Sequence, residues 1–197
     1  MKQHLIIIAH PNPDSFNHAI LAQVVEASKK CGWAPVVRDL HAMLFNPVLS
    51  WEELSASYQG KIDDAIAYEH ALIRQADLIT LIYPLWWMGF PAILKGYLDR
   101  TLTFGFAYQT VNGESQGLLR GKRLHQFITI GSNWQEYKGF GFDKSIRDML
   151  ADGLFNFCGI SDITHHVFDD IHLVSRTTLS DYLTTAHHLT ETRLNQI

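Results

Sequence analysis

Three clusters of residues carry types and spacings that can do chemistry. The first is His10-Pro11-Asn12-Pro13-Asp14-Ser15-Phe16-Asn17, which follows the apolar run Leu5–Ala9. A helix beginning after Ser15 or Asp14 would leave first-turn N–H groups without internal partners, with the helix dipole favouring an anion there. Ser15 adds a hydroxyl and His10 an imidazole, so the cluster reads as a phosphate site. It has neither G-x-x-x-x-G-K-[ST] nor G-x-G-x-x-G, and a capped helix start without a ligand accounts for Asp14 and Ser15 equally well. The second cluster is Tyr83-Pro84-Leu85-Trp86-Trp87-Met88-Gly89-Phe90-Pro91. Two adjacent tryptophans between prolines would overpack a buried strand, but on a loop they form a stiff, flat apolar wall for a planar ring system. Core or dimer packing is the alternative. The third is Thr129-Ile130-Gly131-Ser132-Asn133-Trp134-Gln135-Glu136-Tyr137. There Gly131 allows close backbone approach, and donors can stabilise negative charge as an oxyanion hole does. Solvent-facing polar residues on a glycine-rich loop are the plainer reading.

These clusters need elements to hold them. Leu5–Ala9 predicts a strand buried on both faces. Phe16, Ala19, Ile20, Val24 and Ala27 fall at helical spacing, with Gly32 as a stop. Ala34–Asp39 predicts a second strand, which Pro35 confines to an edge or a strand start. A short helix near Trp51, a helix over 62–76, a third strand at Leu78–Tyr83 and a helix from Pro91 to about Arg100 follow. The stretch holding Gly105, Gly113, Gly117 and Gly121 reads as a loop. A fourth strand at Leu124–Ile130, a helix over Asp143–Phe157, a fifth strand at Ile163–Phe168 and a last helix through Leu189 complete the chain. Alternating strands and helices predict an α/β fold, a flavodoxin-like doubly wound sheet of five mainly parallel strands in order 2-1-3-4-5. All 197 residues form one expected domain. Ligands of such sheets bind beyond the carboxyl ends of the strands, which puts the three clusters in one pocket. A phosphate end, an aromatic wall and a donor-rich loop together suit a flavin mononucleotide unit.

At these loops the sequence resembles the NAD(P)H:quinone reductase (DT-diaphorase) family. The stretches that carry it are IIIAHPNPDSFNHAI, DLHAMLFNPVLS, ADLITLIYPLWWMGFPAILKGYLDRTLTFGFAY, the Thr129–Tyr137 loop and FCGI. The resemblance implies FAD or FMN as cofactor, FAD being the first choice, and NAD(P)H as co-substrate. Hydride passes to the flavin and then to an acceptor in a ping-pong, two-electron cycle. By position, His10, Ser15, Phe16 and Asn17 hold the phosphate side; Leu85, Trp86, Trp87 and Met88 line the ring; Thr129, Ile130, Gly131 and Ser132 meet its pyrimidine end. Tyr137 matches the family's active-site tyrosine, and Ala107 and Tyr108 match residues beside the substrate. Where mammalian members place a histidine that works with the tyrosine, this chain has Asp143, read mainly as a helix cap. The chain is also shorter where those members carry an insertion that helps hold adenine. The resemblance further implies a homodimer whose partner completes the acceptor pocket. The same loops occur in ancillary flavoproteins of potassium-efflux systems, so a regulatory role with a membrane transporter partner is the alternative.

Composition narrows the field. With 16 basic and 20 acidic residues, net −4, and no basic run, nucleic acid is not an expected partner. The balance also lacks the strong acidity of a flavodoxin electron carrier. Leu5–Ala9 is too short for a signal-peptide core, no stretch reaches the length of a membrane span, and Cys31 and Cys158 form no C-x-x-C; a cytoplasmic location is expected. His165-His166 and His187-His188 are neighbours that do not converge on a strand or a helix, so no metal site is expected.

Overall fold

In the computed structural model, which describes residues 2–197, five parallel strands form the central sheet. They are β1 (Gln3–Ile8), β2 (Ala34–Asp39), β3 (Leu78–Pro84), β6 (Arg123–Thr129) and β7 (Asp162–Phe168), in the order β2-β1-β3-β6-β7. Counting only these five, the order is 2-1-3-4-5. The central strands are the continuous apolar runs: β3 is buried at every position and β1 from His4 on. Pro35 lies in β2, an outer strand of the sheet, where a missing N–H costs least.

Helices cover both faces, as parallel crossovers require. On one side α1 (Phe16–Lys30) packs on α8 (Arg176–Asn195), around Ile6, Ile8, Ile20, Val24, Phe127 and Phe168. On the other, α3 (Asp64–Gln75) and α4 (Ala92–Thr101) enclose the larger core that includes Leu5, Ile7, Leu81 and Tyr97. Between β2 and α3 lies α2 (Trp51–Tyr58). Pro91 precedes α4 as its cap residue rather than its first helical residue. Among the described residues, no helix is long and apolar enough to cross a membrane.

Two segments differ from expectation. The stretch read as a loop after α4 contains a hairpin, β4 (Tyr108–Val111) with β5 (Glu114–Gly117), turning at Asn112-Gly113 with both residues at positive φ. That pair matches the type I′ hairpin turn. The helix expected over Asp143–Phe157 is broken into α6 (Phe142–Arg147), a π-helical stretch (Asp148–Gly153) and α7 (Leu154–Phe157). One further turn of helix, α5 (Trp134–Gly139), takes up the end of the third cluster. The break rotates the apolar face: Ile146, Leu150 and Ala151 are buried, while Met149 and Phe157 face outward.

Candidate active site at the carboxyl edge of the sheet

Thr129, the last residue of β6, ties the three predicted loops together. Its fully buried hydroxyl oxygen accepts from the Asn17 side-chain amide at 3.0 Å. Its carbonyl accepts from the Leu85 N–H at 2.9 Å. Loop one and loop two also meet directly, the His10 and Trp86 rings standing 6.0 Å apart between centroids. The three loops therefore meet at the carboxyl ends of β1, β3 and β6, where strand order reverses.

Loop one ends in the capped start of α1. Ser15 is the N-cap and its Oγ accepts from the His18 N–H at 3.3 Å. The N–H groups of Phe16 and Asn17 occupy the first two helical positions and have no intrahelical acceptor. Their side chains are otherwise engaged: Phe16 packs edge-on against Phe168, and the Asn17 amide holds Thr129. Both residues thus offer backbone, not side chain, to a ligand. His10 Nδ1 lies 3.1 Å from Asn12 N and 3.2 Å from Asn12 O. Partial burial pulls its pKa down, against the bond to Asn12, with His18 and His41 acting in the same direction as burial. A neutral ring with its proton on Nε2 accepts the Asn12 N–H and keeps one donor for a ligand.

Loop two is a tight reversal. Trp86 and Gly89 exchange both backbone hydrogen bonds, at 3.2 and 3.0 Å, with Trp87 at φ +50° and Met88 at φ +61° between them. This hairpin conformation is one that Asn and Gly ordinarily fill, and bulky residues there are strained. Trp87 is 100% exposed, Trp86 43% and Met88 38%. Leu85, in contrast, is buried in the core beneath them. Tyr83, read at the edge of this loop, belongs to β3; its hydroxyl donates to Gln126 Oε1 at 2.7 Å, and burial pushes its pKa up.

Loop three is fastened by a fourth loop, after β7, that sequence reasoning missed. Asp169 Oδ2 accepts the Trp134 N–H at 2.9 Å, and its Oδ1 accepts the Tyr182 hydroxyl at 3.0 Å. Asp170 Oδ2 accepts from the Asn133 amide at 2.9 Å. His172 lies over Gly131, so a Cβ there would stand 3.4 Å from its ring. Gly131 and Ser132 are exposed, whereas Ile130 is buried. Two adjacent acids just past a parallel strand were the available signal, since every such loop opens on the same edge.

Tyr137 stands on α5, half-buried between Trp134 and Phe142 at 6.1 and 5.7 Å. Asp143 is not the cap it was expected to be. Gly141 precedes α6 as its cap residue, and Asp143 sits in the first turn, where its charge still meets the favourable end of the helix dipole. Ala107 is fully buried, its methyl group packed into the core rather than open to solvent. Tyr108 borders a separate cavity of about 500 Å³ between α2 and the end of α4, lined also by Glu53, Tyr58, Arg100 and Phe104 and by no residue of the three loops.

Similarity to known proteins follows this architecture. Residues 2–189 match a family described by its flavodoxin-like fold. An uncharacterized NAD(P)H oxidoreductase of Haemophilus influenzae is 58% identical over 172 residues, 87% of this chain and 85% of that protein. The chain belongs to the flavodoxin-like NAD(P)H oxidoreductases. Within that family, NAD(P)H dehydrogenase [quinone] 1 of Rattus norvegicus is 34% identical over 179 residues, 81% of this chain but only 65% of the rat enzyme. Among solved structures, the NAD(P)H:quinone oxidoreductase of Methanothermobacter marburgensis superposes with a TM-score of 0.87 at 27% identity, covering 96% of this chain and 98% of its own.

Proposed function

We propose that this oxidoreductase holds a flavin across its three loops and passes two electrons from NAD(P)H to quinones or similar small electrophiles. The observation that carries the reading is the Trp86–Gly89 turn: strained backbone at Trp87 and Met88 presents the fully exposed Trp87 indole, for which nothing in the packing of the chain calls, next to the partly exposed Trp86 ring that meets His10. The donor set fits the group. Backbone N–H groups of Phe16 and Asn17, the Ser15 hydroxyl and a neutral His10 suit a phosphate; Trp86, Trp87 and Met88 suit a flat ring; the exposed backbone of Gly131 and Ser132 suits its polar edge. FAD is the first choice and FMN the second. A flavin held there would supply the hydride chemistry between reduced nicotinamide and the acceptor.

The chain's own residues bind, orient and supply a proton. The Tyr137 phenol donates to the oxygen of the acceptor as negative charge develops there. Asp143, as a carboxylate in the first turn of α6, accepts hydrogen bonds only and supports the helix. Tyr108 reaches an acceptor from the second subunit of a homodimer. Leu44 and Val48, exposed before α2, and Trp51, exposed at its first position, supply apolar area for that contact. Two free thiols suit a reducing, cytoplasmic setting.

The test is to purify the protein, extract and identify its flavin, and assay NADH and NADPH against quinones, nitroaromatics and azo dyes. Stoichiometric flavin and steady nicotinamide oxidation with an acceptor are expected. A protein that takes up neither FAD nor FMN does not have this function. Light scattering at micromolar concentration is expected to give a dimer; a fully active monomer would remove Tyr108 from the acceptor site.

A further inference from the structure

His18, three residues into the segment that begins at Ser15, is bonded on both sides of its ring. Nε2 lies 3.0 Å from Asp39 Oδ2, and Nδ1 lies 2.9 Å from Ser15 Oγ. Partial burial alone would raise the Asp39 pKa. The Ala42 N–H, the His18 ring and the His41 N–H outweigh it and hold the carboxyl below its ordinary value. A carboxylate accepts and cannot donate, so the Nε2 proton points at Asp39 and Nδ1 is the variable atom. In the neutral ring, Nδ1 takes the Ser15 hydroxyl hydrogen. Ser15 Oγ, which also accepts the His18 N–H, then shows its remaining lone pair to an anion at the start of α1. In the imidazolium, Nδ1–H donates to Ser15 Oγ and the hydroxyl hydrogen is free for the anion. The two protonation states present opposite polarity at one place.

We infer that His18, held by Asp39, is the positioning residue that makes the Ser15 hydroxyl a donor when a phosphate group docks at the start of α1, and that docking takes up one proton at His18. This rests on the reading of loop one as the phosphate end of the flavin site. Linkage makes the effect reciprocal: the bound phosphate favours the imidazolium as much as the imidazolium favours the phosphate. The groups around His18 are consistent with one proton. From the loop after β1, His10 stands edge-on at 6.4 Å and is kept neutral, by burial first. From the loop after β2, His41 gives its N–H to Asp39 Oδ1 at 3.1 Å. On the chain before Ser15, Asp14 is tied through its N–H to Asn12 Oδ1 at 2.9 Å.

The test is to titrate the flavin-free full chain with FMN, FAD and riboflavin by flavin fluorescence from pH 7 to 9, above the second ionisation of a phosphomonoester, near 6. FMN and FAD affinities are expected to fall as pH rises, by up to about tenfold per unit, the limit for one proton. Riboflavin, which lacks phosphate, stays constant. His18→Gln flattens the FMN and FAD trends. Asp39→Asn keeps an amide oxygen for the N–H groups of His41 and Ala42 and turns its NH2 to His18 Nε2, so the neutral ring carries its proton on Nδ1, already donates to Ser15, and the FMN and FAD trends flatten as well. A flat wild-type FMN curve, or a slope that survives His18→Gln, overturns the inference and leaves the flavin reading standing. Riboflavin binding as tightly as FMN does the same, because it removes the phosphate from the site. If none of the three flavins binds, the flavin reading and this inference fall together.

Discussion

At Trp87 the backbone and the side chain pull in opposite directions. The turn demands positive φ, which a residue with a Cβ resists by roughly 1–2 kcal/mol, and the indole it carries gains nothing from the protomer because it is fully exposed. Trp87→Gly should therefore stabilise the flavin-free protein by a few tenths to about 1 kcal/mol, the usual gain on relieving such strain. It should also weaken flavin binding by at least about 1 kcal/mol, the scale of one aromatic contact. Denaturant midpoints and flavin titration on one sample check both signs; a variant that binds flavin as well as wild type takes Trp87 out of the stacking wall. Tyr137 and Asp143 separate by chemistry in the same way. A phenol can donate to an acceptor oxygen, and an ionised carboxylate cannot. Tyr137→Phe should lower quinone turnover toward the roughly 10²-fold that one acid–base group contributes, less what solvent replaces, while flavin reduction by NAD(P)H persists. Asp143→Asn should change turnover by less than about tenfold, because only a favourable charge–dipole contact is lost. Stopped-flow resolution of the two half-reactions decides; the reverse pattern would make Asp143 the acid.

Among the elements, α4 is placed by its closest approach to the chain before α2. A Cβ on Gly96 would lie 2.1 Å from the Pro47 carbonyl oxygen, a backbone atom that cannot swing aside. Arg100, one turn on, clamps that segment through the Asn46 carbonyl at 2.8 Å and α2 itself through the Glu53 carboxylate at 2.9 Å. Gly96→Ala should cost about 1–3 kcal/mol, as overpacking does, read as a lower urea midpoint at unchanged slope; an unchanged midpoint would mean that α4 slides freely on this segment. How much of this was legible in sequence depends on the range of the interaction. The five sheet strands are written in local apolar runs and the helix start in Asp14-Ser15, while the strand order follows from the fold class that alternating strands and helices imply. The β4–β5 hairpin reads as a loop: Asn112-Gly113 carries a hairpin-turn signal, but Glu114-Ser115-Gln116-Gly117 has no apolar alternation to mark a strand. Trp87-Met88 makes a similar reversal with residues that give no local signal for it. The His18–Asp39 pair spans 21 residues and exists only because β1 and β2 pair in register, Ile8 opposite Asp39. Ala107 matched a family position, yet its burial is a property of the packed chain.

Across the whole molecule, imidazoles are built into the core in a neutral state. His4, fully buried in β1, lies 2.7 Å from both Ser28 Oγ and Thr80 Oγ1. Ser28 gives its hydroxyl hydrogen to the Val24 carbonyl at 2.6 Å. Its oxygen therefore accepts from His4 Nδ1–H, and in the neutral ring Nε2 accepts from the Thr80 hydroxyl. His125, on β6, is buried with Nδ1 unpartnered, 4.2 Å from the Phe127 ring between centroids. Burial holds both pKa values at about 3, with Arg193 adding to the effect at His125. The sign follows from the unfolded chain, where each ring takes up a proton below its ordinary 6.5 while the folded protein takes up none until about 3. Stability is therefore complete above pH 6.5 and falls as pH drops toward 3. Between pH 6 and 5, before most carboxylates titrate, the two rings should remove about 2 kcal/mol of unfolding free energy, since each proton is worth about 1.4 kcal/mol per unit. His70, His165 and His166, each lowered first by burial, act in the same direction. His4→Gln lowers stability at pH 8 through its lost hydrogen bonds, but it should also remove about 1 kcal/mol of the pH 6-to-5 decline, close to one proton's share. Urea unfolding at pH 8, 6 and 5 separates the two effects. A His4→Gln protein whose stability falls as steeply as wild type would show that His4 takes up its proton without unfolding the core.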